Sequence, residues 1–175
     1  DWADYQNASG SVTVNLSAGT LTANRTIEGT TLNAGMSFGT ATGADGNDTL
    51  YGIGGVRGGA SADILIGSAD NDLLAGGLGN DTLVGMGGND WADYKWASGS
   101  VSVTLSDTKA TATVAGVSLT NVSTGTATGA DGSDTLYSME RVRGSRFADT
   151  LVGNSEENMF KGLDGNDTID GGAGS

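Results

Sequence analysis

Along two stretches of this chain one apolar side chain recurs at nine-residue spacing: Leu65, Leu74 and Leu83, then Leu151, Phe160 and Ile169. Leu50 and Leu136 stand fifteen residues before the first of each run, and Ala92 takes the place after Leu83. One buried position in nine is too sparse for a helix, and it predicts very short strands separated by turns. Ahead of each run the pattern changes to strict alternation, as in Val12-Thr13-Val14-Asn15-Leu16 and Val101-Ser102-Val103-Thr104-Leu105, the mark of longer strands with one buried face. No helix-period stretch of convincing length appears, so the fold class is all-β.

The polar positions between the apolar ones are as regular. Gly opens each nine-residue unit, as in GADGNDTLY from Gly43, GGASADILI from Gly58, GSADNDLLA from Gly67, GGLGNDTLV from Gly76 and GMGGNDWAD from Gly85. A second set runs GADGSDTLY from Gly129, GSRFADTLV from Gly144, GNSEENMFK from Gly153, GLDGNDTID from Gly162 and a truncated GGAGS at Gly171. The sixth place is Asp eight times and Asn once, at Asn158.

A longer repeat contains the short one. DWADYQNASGSVTVNLS from Asp1 returns from Asp90, and GTATGADGNDTLY from Gly39 returns from Gly125, which divides the chain into units 1–89 and 90–175. The second copy is three residues shorter between Ser106 and Gly125, where loop sequence tolerates length change. Within each unit a six-residue linker, Gly52–Arg57 or Ser138–Arg143, follows the first nonapeptide and reads as a tightened turn of the same solenoid. The stretches 11–42 and 100–128 read either as continuing solenoid or as a β-hairpin excursion. Both termini stop near the phase at which the unit would begin again, which suggests two consecutive units of a longer array, without the cap an array end requires.

Composition sharpens the picture. With 31 Gly and no Pro, Cys or His, the chain has no disulfide and no thiol or imidazole chemistry. The net charge of −13 comes from 17 Asp against 4 Glu, and short-stemmed Asp is the carboxylate of turns and calcium loops. Such acidity argues against nucleic acid and for divalent cations as partners. No apolar run approaches the ~20 residues of a membrane span. No nucleophile motif and no separated acid–base pair supports an enzyme.

Calcium accepts six to eight oxygens in irregular geometry, so tight turns offering converging carbonyls and one or two carboxylates suit it. In these units Gly at the first, second and fourth places would permit positive φ and close approach of carbonyls. With Gly at those places, Asp at the sixth and an apolar residue at the eighth, the sequence resembles the RTX family of calcium-binding nonapeptide repeats over about 43–93 and 129–175. That resemblance implies a parallel β-roll with two nonapeptides per turn and Ca2+ held between stacked turns. The implied ligand set in the first block is Asp45, Gly46, Asp48, Gly58, Asp63, Gly67, Asp70, Asp72, Gly76, Gly77, Gly79, Asp81, Gly85, Gly88 and Asp90. In the second it is Asp131, Gly132, Asp134, Gly144, Asp149, Gly162, Asp164, Gly165 and Asp167. Ions would then link turns 18 residues apart: Asp63 with Asp81, Asp72 with Asp90, Asp149 with Asp167. Asp48 and Asp134, fifteen residues before the next Asp, have no partner on that spacing, and replacing Glu28 should leave calcium affinity unchanged. About four to six ions would offset most of the net charge.

The resemblance further implies a secreted or cell-surface bacterial protein exported by type I secretion, folding as it meets extracellular calcium. Two readings follow: a structural repeat module of surface-layer, filament or adhesin type, or the non-catalytic secretion or polysaccharide-binding module of an extracellular protease, lipase or alginate-modifying enzyme. Expected partners are calcium, neighbouring repeats or copies of the same protein, and polysaccharide as a further class. The repeated DWADY segments read as packing at a block boundary, with a sugar platform as the alternative.

Overall fold

The computed structural model describes residues 1–27 and 29–174; Glu28 and Ser175 lie outside it, and with Glu28 the expectation attached to it. Among the described residues there are no helices and eighteen strands. The first unit holds β1 (Trp2–Asp4), β2 (Val12–Thr20), β3 (Arg25–Ile27), β4 (Thr30–Leu32), β5 (Ser37–Gly43), β6 (Gly46–Leu50), β7 (Gly55–Arg57), β8 (Ile64–Ile66), β9 (Leu73–Ala75) and β10 (Thr82–Val84). The second holds β11 (Trp91–Asp93), β12 (Val101–Val114), β13 (Val117–Gly129), β14 (Gly132–Tyr137), β15 (Arg141–Arg143), β16 (Thr150–Val152), β17 (Met159–Lys161) and β18 (Thr168–Asp170).

In β8 to β11 and β16 to β18 the strand is the seventh-to-ninth-place stretch of a nonapeptide, too short to persist without neighbours above and below. Outside the two hairpin segments successive strands go alternately to two sheets, and β3 with β4 forms a small sheet of its own. One sheet has the order β1-β7-β9-β11-β15-β17 and is parallel throughout. The other has the order β18-β16-β12-β13-β14-β10-β8-β2-β5-β6. Leu65 pairs with Leu83 and Leu151 with Ile169, each one coil of eighteen residues apart. The main core joins the sheets, with Val56, Leu74, Ala92 and Val142 from the first meeting Val14, Leu65, Leu83, Val103, Leu136 and Leu151 from the second, and a smaller cluster of Ile66, Val84 and Leu119 packs under the second hairpin. This is an all-β, mostly parallel arrangement consistent with a β-roll.

The two open stretches are hairpin excursions. β2 turns back as β5, and β12 as β13, each followed by a third antiparallel strand, β6 or β14. The larger sheet is therefore mixed, since a hairpin needs only a short loop whereas each parallel pair needs a crossover. The three residues missing from the second copy fall in the hairpin, the part that leaves the core. The linkers supply β7 and β15, so they are rungs of the smaller sheet.

Glycine at the first place of a unit has another role than the one expected from conformational freedom. Gly77 and Gly79, at the second and fourth places, do take φ of +101° and +119°, but the first-place glycines do not have positive φ. Space decides there: a Cβ on Gly58 would lie 2.3 Å from both an Asp63 carboxylate oxygen and the Gly76 carbonyl. Met86 occupies the second place of its unit with φ +75° and has a partly exposed side chain. Met86→Gly should relieve a left-handed strain of about 1 kcal/mol and raise the melting temperature; an unchanged or lower one would contradict this reading.

Candidate metal centres

The sixth-place carboxylates stand in ladders along the two edges where the sheets meet. On one edge the Asp63 amide donates to Asp81 Oδ1 at 2.9 Å, and the Asp81 amide to Asp134 Oδ1 at 2.9 Å. Further along it, Val101 donates to Asp149 at 2.8 Å and Asp149 to Asp167 at 3.0 Å, while Val12 donates to Asp63 at 2.8 Å. On the other edge Asp72 donates to Asp90 at 2.7 Å and Asp90 to Glu140 Oε2 at 3.0 Å. One oxygen of each of these carboxylates thus bridges to the preceding coil.

The second oxygen turns inward over the first-place glycine of its own unit. Asp63 Oδ2 accepts from the Gly59 amide and Asp72 Oδ2 from the Ser68 amide, both at 2.6 Å. Around the same point gathers a carbonyl of the next coil: Gly76 O over Gly58, Gly85 O over Gly67, Ser138 O over Gly85. Three buried oxygens, Asp72 Oδ1, Asp81 Oδ2 and Asp90 Oδ2, have no hydrogen-bond donor at all. A buried anionic oxygen left without donors is costly, and carboxylates set beside carbonyls offer oxygens only, the donor set of a hard cation such as calcium. The residues therefore fit the ion. Among the described residues no three acidic side chains converge, so the carbonyls must make up the shell.

Burial governs the electrostatics. Asp81 is pushed up to about 7, mainly by burial, with the neighbouring Asp134 and Asp63 charges adding and the Asp63 amide opposing. Asp90 is also pushed up to about 7 by burial, with Glu140 and Asp72 adding. Burial likewise raises Asp63, Asp72, Asp134 and Glu140. In the ion-free fold Asp81 and Asp90 keep protons that an unfolded chain releases, so their contribution to stability is present at acid pH and lost as pH rises through about 7, and the other raised carboxyls act in the same direction. Ion binding needs the charged form and must expel those protons. Affinity should fall as pH drops below 7, with proton release on calcium addition visible in weakly buffered solution; equal affinity at pH 8 and pH 5.5 would refute it.

The structure brings together Asp63 with Asp81, Asp72 with Asp90 and Asp149 with Asp167, as the eighteen-residue spacing requires. Asp134 joins Asp81, 53 residues earlier in sequence, because the β12–β13 hairpin separates it from Asp149. Asp48 lies exposed within β6, the outer strand of the larger sheet, and Gly46 in the same strand has nothing close to it. Asp70 and Asp164 are exposed side chains, apart from the ladders. Asp45 and Asp131 instead clamp the loops after DWADY, taking the amide and hydroxyl of Ser9 and of Ser98. Those hydrogen bonds hold Asp45 below the usual carboxylate range. Gly132 closes on the carbonyl of Gly79, Gly88 on that of Asp70 and Gly165 on that of Phe147, so fourth-place glycines stack the coils.

Two groups escaped sequence reasoning. Glu140 lies four residues before Gly144, as Asp does before each new unit, so its phase was the available signal. Tyr94 and Tyr5 donate to the second oxygens of Asp134 and Asp48 at 3.0 and 3.1 Å, a long-range contact without a local signal. At Asn158 the side-chain oxygen still accepts from the Asn154 amide at 2.8 Å, which keeps the turn without its charge, while Glu156 pairs with Lys109 instead. DWADY packs at the boundary, with Ala3, Tyr5, Ala92 and Tyr94 on or against the core. Trp2 meets Trp96 edge-on at 5.5 Å, and Lys95 and Arg57 cover the Trp96 ring at 3.9 and 4.6 Å.

Residues 40–55, 57–92 and 143–175, a little under half of the chain, match the family model described as RTX calcium-binding nonapeptide repeat (4 copies). The match leaves out 129–142, where Asp134 and Glu140 extend both ladders. No curated protein matches the chain.

Proposed function

Because the chain belongs, through those segments, to the RTX calcium-binding nonapeptide repeat family, we propose that it is a calcium-dependent structural module of a large secreted or cell-surface bacterial protein. The reading is of surface-layer, filament or adhesin type, with export in a calcium-poor, unfolded state and folding outside. One observation carries it: on both edges a carboxylate oxygen and a carbonyl of the adjacent coil converge over a first-place glycine, as Asp63 with Gly76 and Asp90 with Ser138 do, and three buried carboxylate oxygens have no donor. Asp63, Asp72, Asp81, Asp90, Asp134, Asp149 and Asp167 are the residues that would hold the ions, with Glu140 closing one ladder. When bound, calcium supplies the positive charge that lets these side chains stay ionised while buried. The chain's own amides and glycine turns hold the oxygens in place in the folded roll.

No catalytic role is assigned to any residue. Membership in the polysaccharide-binding module of an extracellular enzyme has one point in its favour, the half-exposed Trp2 and Trp96, but the Trp96 ring is covered by cations rather than open for sugar stacking. Far-UV circular dichroism during a calcium titration tests the main reading. A strand-rich spectrum that excess chelator leaves unchanged would overturn it.

A further inference from the structure

The anions of this chain are spread along both edges of the roll, but its cations are gathered on one face. Val56, Leu74, Ala92 and Val142, the middle residues of β7, β9, β11 and β15, turn into the core, so the residues on either side of them turn outward from the smaller sheet. One outward row runs Trp2, Gly55, Leu73, Trp91, Arg141 and Met159 in register. The row beside it holds Arg57, Asp93, Arg143 and Lys161, and the loop after β11 adds Lys95 and Trp96. Five of the eight cationic side chains and all three Trp therefore share this face, in a chain of net charge −13. We propose that the face binds an anionic polysaccharide lying along the roll axis, through cations held on the tryptophan rings.

The cations are set in place before any ligand arrives. Lys95 and Arg57 lie 3.9 and 4.6 Å from the centre of the Trp96 ring, and Trp2 meets that ring edge-on. Lys161, Arg143 and Arg141 lie 4.8, 5.5 and 5.9 Å from the centre of the Trp91 ring. A cation is attracted to an indole face, which lowers the entropy it has left to lose on binding. Among the described residues only Arg143 of these five is in an ion pair, with Asp93 at 3.0 Å, and Arg57 donates to the neutral Gln6. The face thus keeps positive charge that no carboxylate in contact offsets. Beside Trp96 it deepens into a cavity of about 160 Å³ lined by Gln6, Arg57 and Leu78, where a charged substituent can reach the Arg57 guanidinium.

Shape and chemistry choose among anions. The cations follow the stacking direction, one strand every ~4.8 Å, so they form a narrow stripe that suits an extended polymer with recurring charges. Nucleic-acid bases stack on open ring faces, and here those faces carry cations. An acidic polypeptide supplies carboxylates but little for the free ring edges of Trp2 and Trp96, which are 43 and 41 % exposed. A saccharide supplies both, apolar C–H groups against those edges and carboxylate or sulfate for the guanidinium forks of Arg57 and Arg141.

The face exists only in the folded roll, and to that extent the proposal rests on the calcium reading above. Calorimetric titration of the whole chain in millimolar calcium with dextran sulfate, hyaluronate and neutral dextran, with circular dichroism on the same samples, tests it. At least one of the two anionic polymers should bind, which names the group as sulfate or carboxylate, and neutral dextran should not. Polyglutamate of equal charge should bind about tenfold more weakly or less. Lys95→Gln, Arg141→Gln and Lys161→Gln combined should weaken binding about tenfold with an unchanged strand spectrum. Arg25→Gln, Lys109→Gln and Arg146→Gln combined remove the same charge from elsewhere and should leave it within about twofold. A folded wild type that binds neither anionic polymer, equal losses for the two triple variants, or polyglutamate binding as tightly as the saccharide would overturn the proposal. Spectra indifferent to calcium would instead overturn the functional reading.

Discussion

In excess chelator at pH 7.5 the chain loses its strand-type circular dichroism, and millimolar calcium restores it. Asp63, Asp72, Asp81 and Asp90 are each at most 2 % exposed, and three of their oxygens lack donors. Ionised and without a cation, they repel one another across each rung, in a chain of net charge −13 with no disulfide to hold it. An ion present at 1,000 times its dissociation constant stabilises the fold by about 4 kcal/mol. Four such ions would match or exceed the roughly 5–15 kcal/mol that separates an ordinary domain from its unfolded state. Magnesium at the same concentration should not restore the signal, because it demands octahedral geometry and sheds its water reluctantly. In chelator alone, acidification to pH 5 should recover part of the strand signal, since Asp81 and Asp90 then take up protons. A spectrum indifferent to calcium at pH 7.5 would contradict the whole account.

Asp81→Ala should raise the calcium midpoint for folding at least tenfold. That side chain does two things at once: Oδ1 receives the Asp63 amide, and Oδ2 lies undonated over Gly76. Its loss unties two coils and removes an anionic ligand. Asp81→Asn separates the two roles, as Asn158 does naturally, by keeping an acceptor oxygen and dropping the charge; its midpoint should fall between wild type and alanine. Glu157→Ala removes the same charge from an exposed position and should leave the midpoint within about twofold. Equal shifts for Asp81→Ala and Glu157→Ala would reduce the ladder to a general charge effect.

Much of this was legible along the chain because each nonapeptide is a local device. The place of Gly, Asp and the apolar residue fixes a turn and a three-residue strand in every unit except those from Gly43 and Gly129, which follow a hairpin and pair antiparallel with it as the longer β6 and β14. Leu65, Leu74, Leu83, Leu136 and Leu151 are fully buried, as their eighth place requires. The alternation of Val12–Leu16 and Val101–Leu105 marked strands, but alternation states which face is buried and not which strand lies alongside. Alternation therefore fits a solenoid rung and a hairpin alike, and it is β5 and β13, running back antiparallel, that make these segments hairpins. The uses of Asp45 and Asp131 show a second limit: both sit in calcium-type turns, and a serine 36 or 33 residues away claims them as clamps.

The sequence by itself determined the rung: its length, its strand, its carboxylate, and a charge that only cations can offset. Tertiary structure alone decided which rungs stack, since stacking follows the edges of the sheets. Once a hairpin of variable length bulges out, Asp134 meets Asp81 across 53 residues and Glu140 takes the place of an aspartate on the other edge. Spacing encodes contacts only where consecutive coils have equal length; beyond that, hydrogen bonding between open strand edges selects the neighbour.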